Sequence, residues 1–114
     1  MEELKFSHYG ECRELNCTDG EREIFEIIRS LIDDEGLDSS IVKLVRKSDS
    51  YVSVVMATSR EDDVLDIARI KYTPRARWIK TGTRFVKYPI GKPNDVTEYA
   101  QEIYKVYRFN EPYL

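Results

Sequence analysis

The sequence is poor in the residues on which most metal and redox sites depend. Its 114 residues include one histidine, His8, and two cysteines, Cys12 and Cys17. A structural zinc site usually has four cysteine or histidine ligands, so these three residues leave the set incomplete within one chain. Secreted domains of this size usually carry several cysteines in disulfides. We therefore expect no metal, no cofactor, and the reduced thiols of a cytoplasmic protein.

Long apolar runs are missing as well. No run approaches the roughly 20 apolar residues that a helix needs to cross a bilayer. The N-terminal residues MEELKFSHYGEC are acidic and contain no apolar segment of the signal-peptide type. We therefore expect no membrane partner. With few glycines and prolines and 41% hydrophobic residues, the chain is predicted to be a single folded domain, 1–114, rather than disordered.

Motifs for catalysis are also lacking. The lone histidine leaves no Ser-His-Asp arrangement, and no P-loop, dinucleotide fingerprint or HExxH pattern is present. Some metal nucleases pair an aspartate with a downstream acid-x-Lys tripeptide, but here Arg69 stands two residues before Lys71, where that tripeptide has its acid. We assign no catalytic residue and expect no enzyme activity.

Two segments have the apolar spacing of amphipathic helices. The first runs from Thr18 to Gly36, where Thr18 and Glu21 form a predicted capping box and isoleucines recur every three or four residues. The second begins at Asn94 or Asp95 and runs to about Arg108. Residues 1–17 and 109–114 are predicted to be irregular.

Between the helices, runs of β-branched residues are separated by short polar turns. They predict four to five strands, at Ile41–Lys47, Tyr51–Ala57, Val64–Tyr72, Ala76–Lys80 and Arg84–Ile90. Their short connections favour an antiparallel meander with both helices packed on one face, an α+β fold. Strict alternation along the third strand would turn Val64, Asp66 and Ala68 toward the helices, and Arg69 and Lys71 away from them.

Charge is divided between two parts of the chain. Residues 1–39 hold 12 acids and 4 bases, whereas residues 67–92 hold 8 bases and no acid, in a chain of net charge -3. One interpretation is internal, with the acidic helix neutralising the basic strands. The other is that the basic stretch meets an anionic partner.

Aromatic residues are interleaved with the bases in this stretch, as in sheets that bind single-stranded nucleic acid. Trp78, the only tryptophan, is interpreted as a core residue. The predicted residues for nucleic-acid or anion binding are Arg69, Lys71, Tyr72, Arg75, Arg77, Lys80 and Arg84.

The segment from Ile41 to Ile79 resembles small uncharacterised proteins of Firmicutes bacteria, their phages and mobile elements. The resemblance is carried by an R-x-K-[YF]-T-x-R-[AT]-[KR]-W-I core, formed here by Arg69, Lys71, Tyr72, Thr73, Arg75, Ala76, Arg77, Trp78 and Ile79. It implies a bacterial or phage setting and no particular activity.

These observations lead to two hypotheses. The first is a non-enzymatic binding module whose basic, aromatic sheet surface binds nucleic acid or another anionic partner. The second is a small acidic inhibitor or adaptor of phage type that binds a protein, for example a defence nuclease. Its contacts would come from the acids at the end of the first helix, Asp33, Asp34, Glu35 and Asp38. The oligomeric state stays open.

Overall fold

A computed structural model describes residues 17–48, 50–60 and 63–114, with the side chains of 47 and 48 excepted, together with the backbone of two short N-terminal strands. The helices are α1 (Asp19–Asp34) and α2 (Ala100–Asn110). The strands are β1 (Lys5–Phe6), β2 (Gly10–Glu11), β3 (Val42–Ser48), β4 (Tyr51–Ala57), β5 (Val64–Tyr72), β6 (Arg77–Thr81) and β7 (Val86–Pro89). Two 3-10 helices, Pro93–Tyr99 and Glu111–Tyr113, flank α2.

The strands β3 to β7 form one antiparallel sheet in the order in which they occur in the chain. The predicted α+β fold with a meander of four to five strands is therefore confirmed, and the number of strands is five. β4 and β5 begin and end at the predicted residues, because their β-branched runs are bounded by polar turns on both sides. Within the described residues, neither helix has the length and apolarity needed to cross a membrane.

The hydrophobic core lies between one face of this sheet and both helices. Helix α1 contributes Ile24, Ile28 and Ile32, and α2 contributes Ile103 and Tyr107. The sheet contributes alternate residues of its inner strands, among them Val52, Val54, Ile70 and Ile79. Since all of these side chains belong to one cluster, the two helices share a face of the sheet, and the other face is turned away from them.

Helix α1 is attached to the end of β5 through its N-terminal cap. The Thr18 hydroxyl accepts from the Glu21 N–H at 3.1 Å, and Glu21 Oε1 accepts from the Thr18 N–H at 2.9 Å, which confirms the predicted capping box. The same two side chains also bind the backbone of Tyr72: Glu21 Oε2 accepts from its N–H at 2.9 Å, and the Thr18 hydroxyl donates to its carbonyl at 2.6 Å. Glu21 is 3% exposed. The cap therefore satisfies two polar groups of β5 as well as those of its own helix.

The close approach of helix and strand at this point requires a glycine. A Cβ on Gly20 would lie 2.2 Å from Cδ1 of the Tyr72 ring, far inside van der Waals contact. The Tyr72 hydroxyl donates to the Gly91 carbonyl at 3.0 Å, so the ring cannot turn away without losing that bond. The contact fixes the distance between α1 and the sheet.

Regular structure extends into segments expected to be irregular. The pair β1 and β2 lies within residues 1–17, and α2 continues through Asn110. The second helical segment also begins differently from the prediction, with a 3-10 helix before α2. Asp95 is its third residue, and its carboxylate accepts from the N–H groups of Gly91 and Lys92 at 2.9 and 3.1 Å. These hydrogen bonds hold the pKa of Asp95 below its usual range.

Replacing Glu21 with alanine should destabilise the fold by about 2–4 kcal/mol. Two backbone N–H groups, of Thr18 and Tyr72, would lose their acceptor in a place that water reaches poorly. Urea unfolding measures the change. Glu23→Ala is the matched control, because Glu23 is exposed on the same helical turn and should change stability by about 0.5 kcal/mol or less. Equal effects of the two substitutions would contradict the role assigned to the cap.

Candidate nucleic-acid interface

Three basic side chains lie side by side across the last three strands of the sheet. Arg69 of β5 is the register partner of Lys80 of β6, and Lys80 is the partner of Lys87 of β7. In the neighbouring row, Lys71 is the partner of Trp78. We call this surface the cationic face and define it by Arg69, Lys71, Lys80 and Lys87 with the aromatic residues Tyr51, Trp78 and Phe85.

The cationic face is the one turned away from the helices. Ile70 and Ile79 are register partners and belong to the core, so their neighbours Arg69 and Lys80 point to the opposite side. The predicted orientation of Arg69 and Lys71 is confirmed. Lys87 precedes Tyr88, which packs against the core. Because neighbouring side chains on a strand point to opposite sides, Lys87 lies on the same side as Arg69 and Lys80.

The predicted orientation of the first half of β5 is wrong, because a β-bulge shifts its alternation by one residue. Val54 pairs with Ala68 and Val55 with Asp66, which leaves Ile67 as the extra residue. Before the bulge, Leu65 packs against the core, and Asp66 lies on the side of Arg69. Asp66 Oδ2 is 3.5 Å from the Arg69 guanidinium nitrogen, an ion pair that strict alternation would not allow.

Aromatic rings surround the charges of this face. The Arg69 guanidinium carbon lies 5.0 Å from the centroids of both the Tyr51 and the Phe85 rings. The Lys87 ammonium is 4.5 Å from the Trp78 ring. Such contacts are worth about 0.5–1 kcal/mol each at exposed sites. Trp78 is half-buried on this face and is absent from the core cluster, so its interpretation as a core residue is wrong.

The other predicted binding residues lie elsewhere. Tyr72 and Arg77 are register partners on the helix side of the sheet, where the Arg77 guanidinium lies 4.5 Å from the Tyr72 ring and donates to the Gly91 carbonyl at 3.2 Å. Arg75 and Arg84 are exposed in the turns before β6 and after it. The structure thus brings together Arg69, Lys71 and Lys80 and separates them from the remaining four.

Lys87 is the cation of this face that the sequence-based prediction omitted. The position of the turn would have predicted it. Thr81 pairs with Val86, so the loop is 82–85, and Lys80 and Lys87 each lie two residues from the loop and must therefore face each other. The sequence held no comparable signal for Tyr51 and Phe85, because their place on this face depends on how side chains pack around Arg69.

The acidic residues of α1 do not neutralise this face within the described part of the chain. Glu21 is 3.9 Å from Arg46 of β3, and Glu35 is 2.9 Å from Arg108 of α2. Among the described residues, no ion pair joins an acid of α1 to a base of residues 67–92. The described residues therefore do not support the interpretation that the acidic helix neutralises the basic strands.

The predicted protein-binding acids lie together where α1 joins β3. Asp38 Oδ1 accepts from the N–H of Ser40 at 2.9 Å and from its hydroxyl at 2.5 Å, and these hydrogen bonds lower the pKa of Asp38. Asp33 accepts from the Ser39 hydroxyl at 3.3 Å, and Asp34 is exposed. With Glu35 bound to Arg108, three of the four carboxylates have partners inside the chain.

Cys17 is the cysteine that the structure describes; His8 and Cys12 lie outside the described residues. The Cys17 thiol is free and half-buried beside the α1 cap, and burial raises the pKa of this thiol. Across residues 17–48, 50–60 and 63–114, no group of three or more His, Cys, Asp or Glu side chains could hold a metal ion.

Phe85 occupies its place at the cost of an unfavourable backbone conformation. Its φ is +53°, in the left-handed region that bulky residues rarely adopt. Its N–H donates to the Gly82 carbonyl at 2.9 Å and closes the loop, and its ring lies near both Arg69 and Lys80. A non-glycine residue held in this region costs about 1–3 kcal/mol.

Phe85→Gly should therefore be more stable than Phe85→Ala by about 1 kcal/mol, because only glycine adopts this conformation without a steric penalty. Urea unfolding of the two variants measures the difference. Both variants lose the ring, so the comparison isolates the backbone. An alanine variant as stable as the glycine variant would show that the backbone at this position carries no strain.

Comparisons of the chain with protein-family models, curated proteins and solved structures found no significant match. The resemblance to Firmicutes and phage proteins accordingly stays a prediction, and the function is argued from the geometry of the cationic face.

Proposed function

We propose that the protein is a non-enzymatic nucleic-acid-binding module that uses its cationic face, as a protein of bacterial or phage origin acting in the cytoplasm. The observation that supports this most is the row Arg69, Lys80 and Lys87. Like charges directly opposite each other destabilise a sheet. Asp66 offsets the charge of Arg69, but Lys80 and Lys87 still face each other in neighbouring strands, and a polyanion that neutralises them explains this better than a contribution to folding does.

The spacing of the row suits a phosphate backbone. Neighbouring strands lie about 4.8 Å apart, so the three charged residues span about 10 Å of surface. Lys71 adds a fourth charge one row away, although its ammonium also donates to the Ser50 carbonyl at 2.6 Å. Several cations along one line bind a flexible phosphate chain by releasing its counterions.

The aromatic side chains favour nucleic acid over other polyanions. Trp78 and Tyr51, with ring centroids 6.3 Å apart, lie in the same part of the surface as Lys71. Flat rings beside cations are the usual composition of sheets that stack unpaired bases. Acidic proteins and polysaccharides would gain from the charges alone.

Replacing Lys80 and Lys87 with alanine should weaken binding to a labelled single-stranded oligonucleotide by about tenfold at low salt. Loss of two phosphate contacts should lower the slope of log affinity against log salt by about 1.4, since each contact contributes about 0.7 for a single strand. Fluorescence anisotropy over a salt titration measures both quantities, and the urea midpoint verifies folding.

The matched control is Arg75→Ala with Arg77→Ala, which removes the same charge from positions off the cationic face. We expect a smaller loss of affinity and little change in slope. A larger loss from this pair than from the lysine pair would move the interface to the helix side of the sheet and contradict our assignment.

The acidic protein-binding inhibitor remains the second prediction from the sequence. Failure of the unmodified protein to bind single-stranded or duplex DNA or RNA at low salt would remove the nucleic-acid proposal. Co-purification of a nuclease that is lost on replacing Asp34 with lysine would then support the inhibitor.

A further inference from the structure

A small cavity opens at the end of the cationic face. It has a volume of about 300 Å³ and lies between the loop 82–85, the bulged part of β5 and the last turn of α2. Two residues of the cationic face, Arg69 and Phe85, form part of its lining. The cavity is therefore continuous with the proposed phosphate-binding surface.

Its walls combine aromatic rings with a few polar groups. Phe109 of α2 lines it together with Phe85, and Phe109 is 63% exposed, an unusual exposure for a phenylalanine. The polar and charged groups come from Asp66, Arg69, Thr83 and Asn110. Asn110 Nδ2 donates to the Asp66 carbonyl at 3.1 Å, which fixes the end of α2 against the bulge. Aromatic walls combined with a few polar groups are typical of small-molecule binding sites.

We propose that this cavity receives one unpaired base of the strand whose phosphates lie along the cationic face; this inference rests on the proposed function. Its volume is at the lower limit of ligand pockets, which suits a single base better than a larger ligand. Arg69 lines the cavity but is paired with the Asp66 carboxylate, so the phosphate of the nucleotide whose base enters would be contacted by Lys80, the register partner of Arg69. Phe109 supplies an accessible ring on which the base stacks.

A pocket of this kind selects single strands. In a duplex the bases are stacked and paired, and taking one out costs free energy that an unpaired strand does not spend. The cationic face by itself would bind both forms by charge. The cavity therefore assigns the protein a preference for single-stranded DNA or RNA.

The test compares Phe109→Ala with Tyr113→Ala. Tyr113 is the matched control, because it is also an exposed aromatic residue, at 67%, and its ring lies near Phe109, with centroids 6.5 Å apart, but it does not line this cavity. We expect Phe109→Ala to lower the affinity for a labelled single strand by about tenfold, the loss expected from one base–aromatic stack, with duplex affinity and salt slope unchanged. Tyr113→Ala should bind like the unmodified protein.

An abasic strand of the same length separates base contacts from phosphate contacts. The unmodified protein should bind it at least about tenfold more weakly than the normal strand, since contacts of bases with Trp78 and Tyr51 are lost as well, and Phe109→Ala should cause no further loss on it. If the unmodified protein binds both strands equally, or if the two variants behave alike on the normal strand, the base pocket is overturned while the cationic face stands. If no strand and no duplex is bound, the proposed function fails, and the pocket with it.

Discussion

The hydrogen bonds between the α1 cap and the backbone of Tyr72 determine how the two layers of this protein are oriented. Glu21 and Thr18 close the first turn of the helix and at the same time bind the N–H and the carbonyl at the end of β5. The strand is thereby held with Ile70 toward the helices. Because side chains alternate along a strand, the same constraint turns Arg69 and Lys71 to the other side. The buried cap thus lies at the end of β5, where Thr18 and Glu21 line the same hollow as Tyr51 and Lys71 of the cationic face.

Nearby rings compensate part of the repulsion within the cationic face. Arg69 has a carboxylate partner in Asp66 and lies near two rings. Among the described residues, the partners of Lys80 and Lys87 are the rings of Phe85 and Trp78 and not carboxylates. A ring attracts a cation without cancelling its charge, so these lysines stay available to an external anion. A surface of paired salt bridges would be equally compact and would bind phosphate poorly.

Local sequence determined much of the fold and only part of the candidate site. The first helix, its capping box and the bounds of β4 and β5 depend on residues close together in the chain, and they were predictable. The bulge at Ile67 was not, because it depends on the pairing of β5 with β4 across the sheet. Tyr72 and Arg77 belong to the predicted basic stretch, but the register places them on the helix side. Runs of charge in a sequence do not distinguish the two faces of a sheet unless the register of every strand is known.

Within the described residues, part of the surface charge is separated between the two layers, and this separation contributes an electric dipole. Exposed carboxylates such as those of Glu23, Glu26 and Asp34 belong to the helix layer, and the basic row belongs to the sheet. A protein of net charge -3 is repelled by a polyanion at long range, yet a dipole rotates in the field and presents its positive end as it approaches. Under the proposed function, encounters would be rarer than for a basic protein, and those in which the basic row faces the polyanion would be favoured. Beyond a Debye length, about 8 Å at physiological ionic strength, this steering disappears, so association should depend on salt in its rate as well as in its equilibrium.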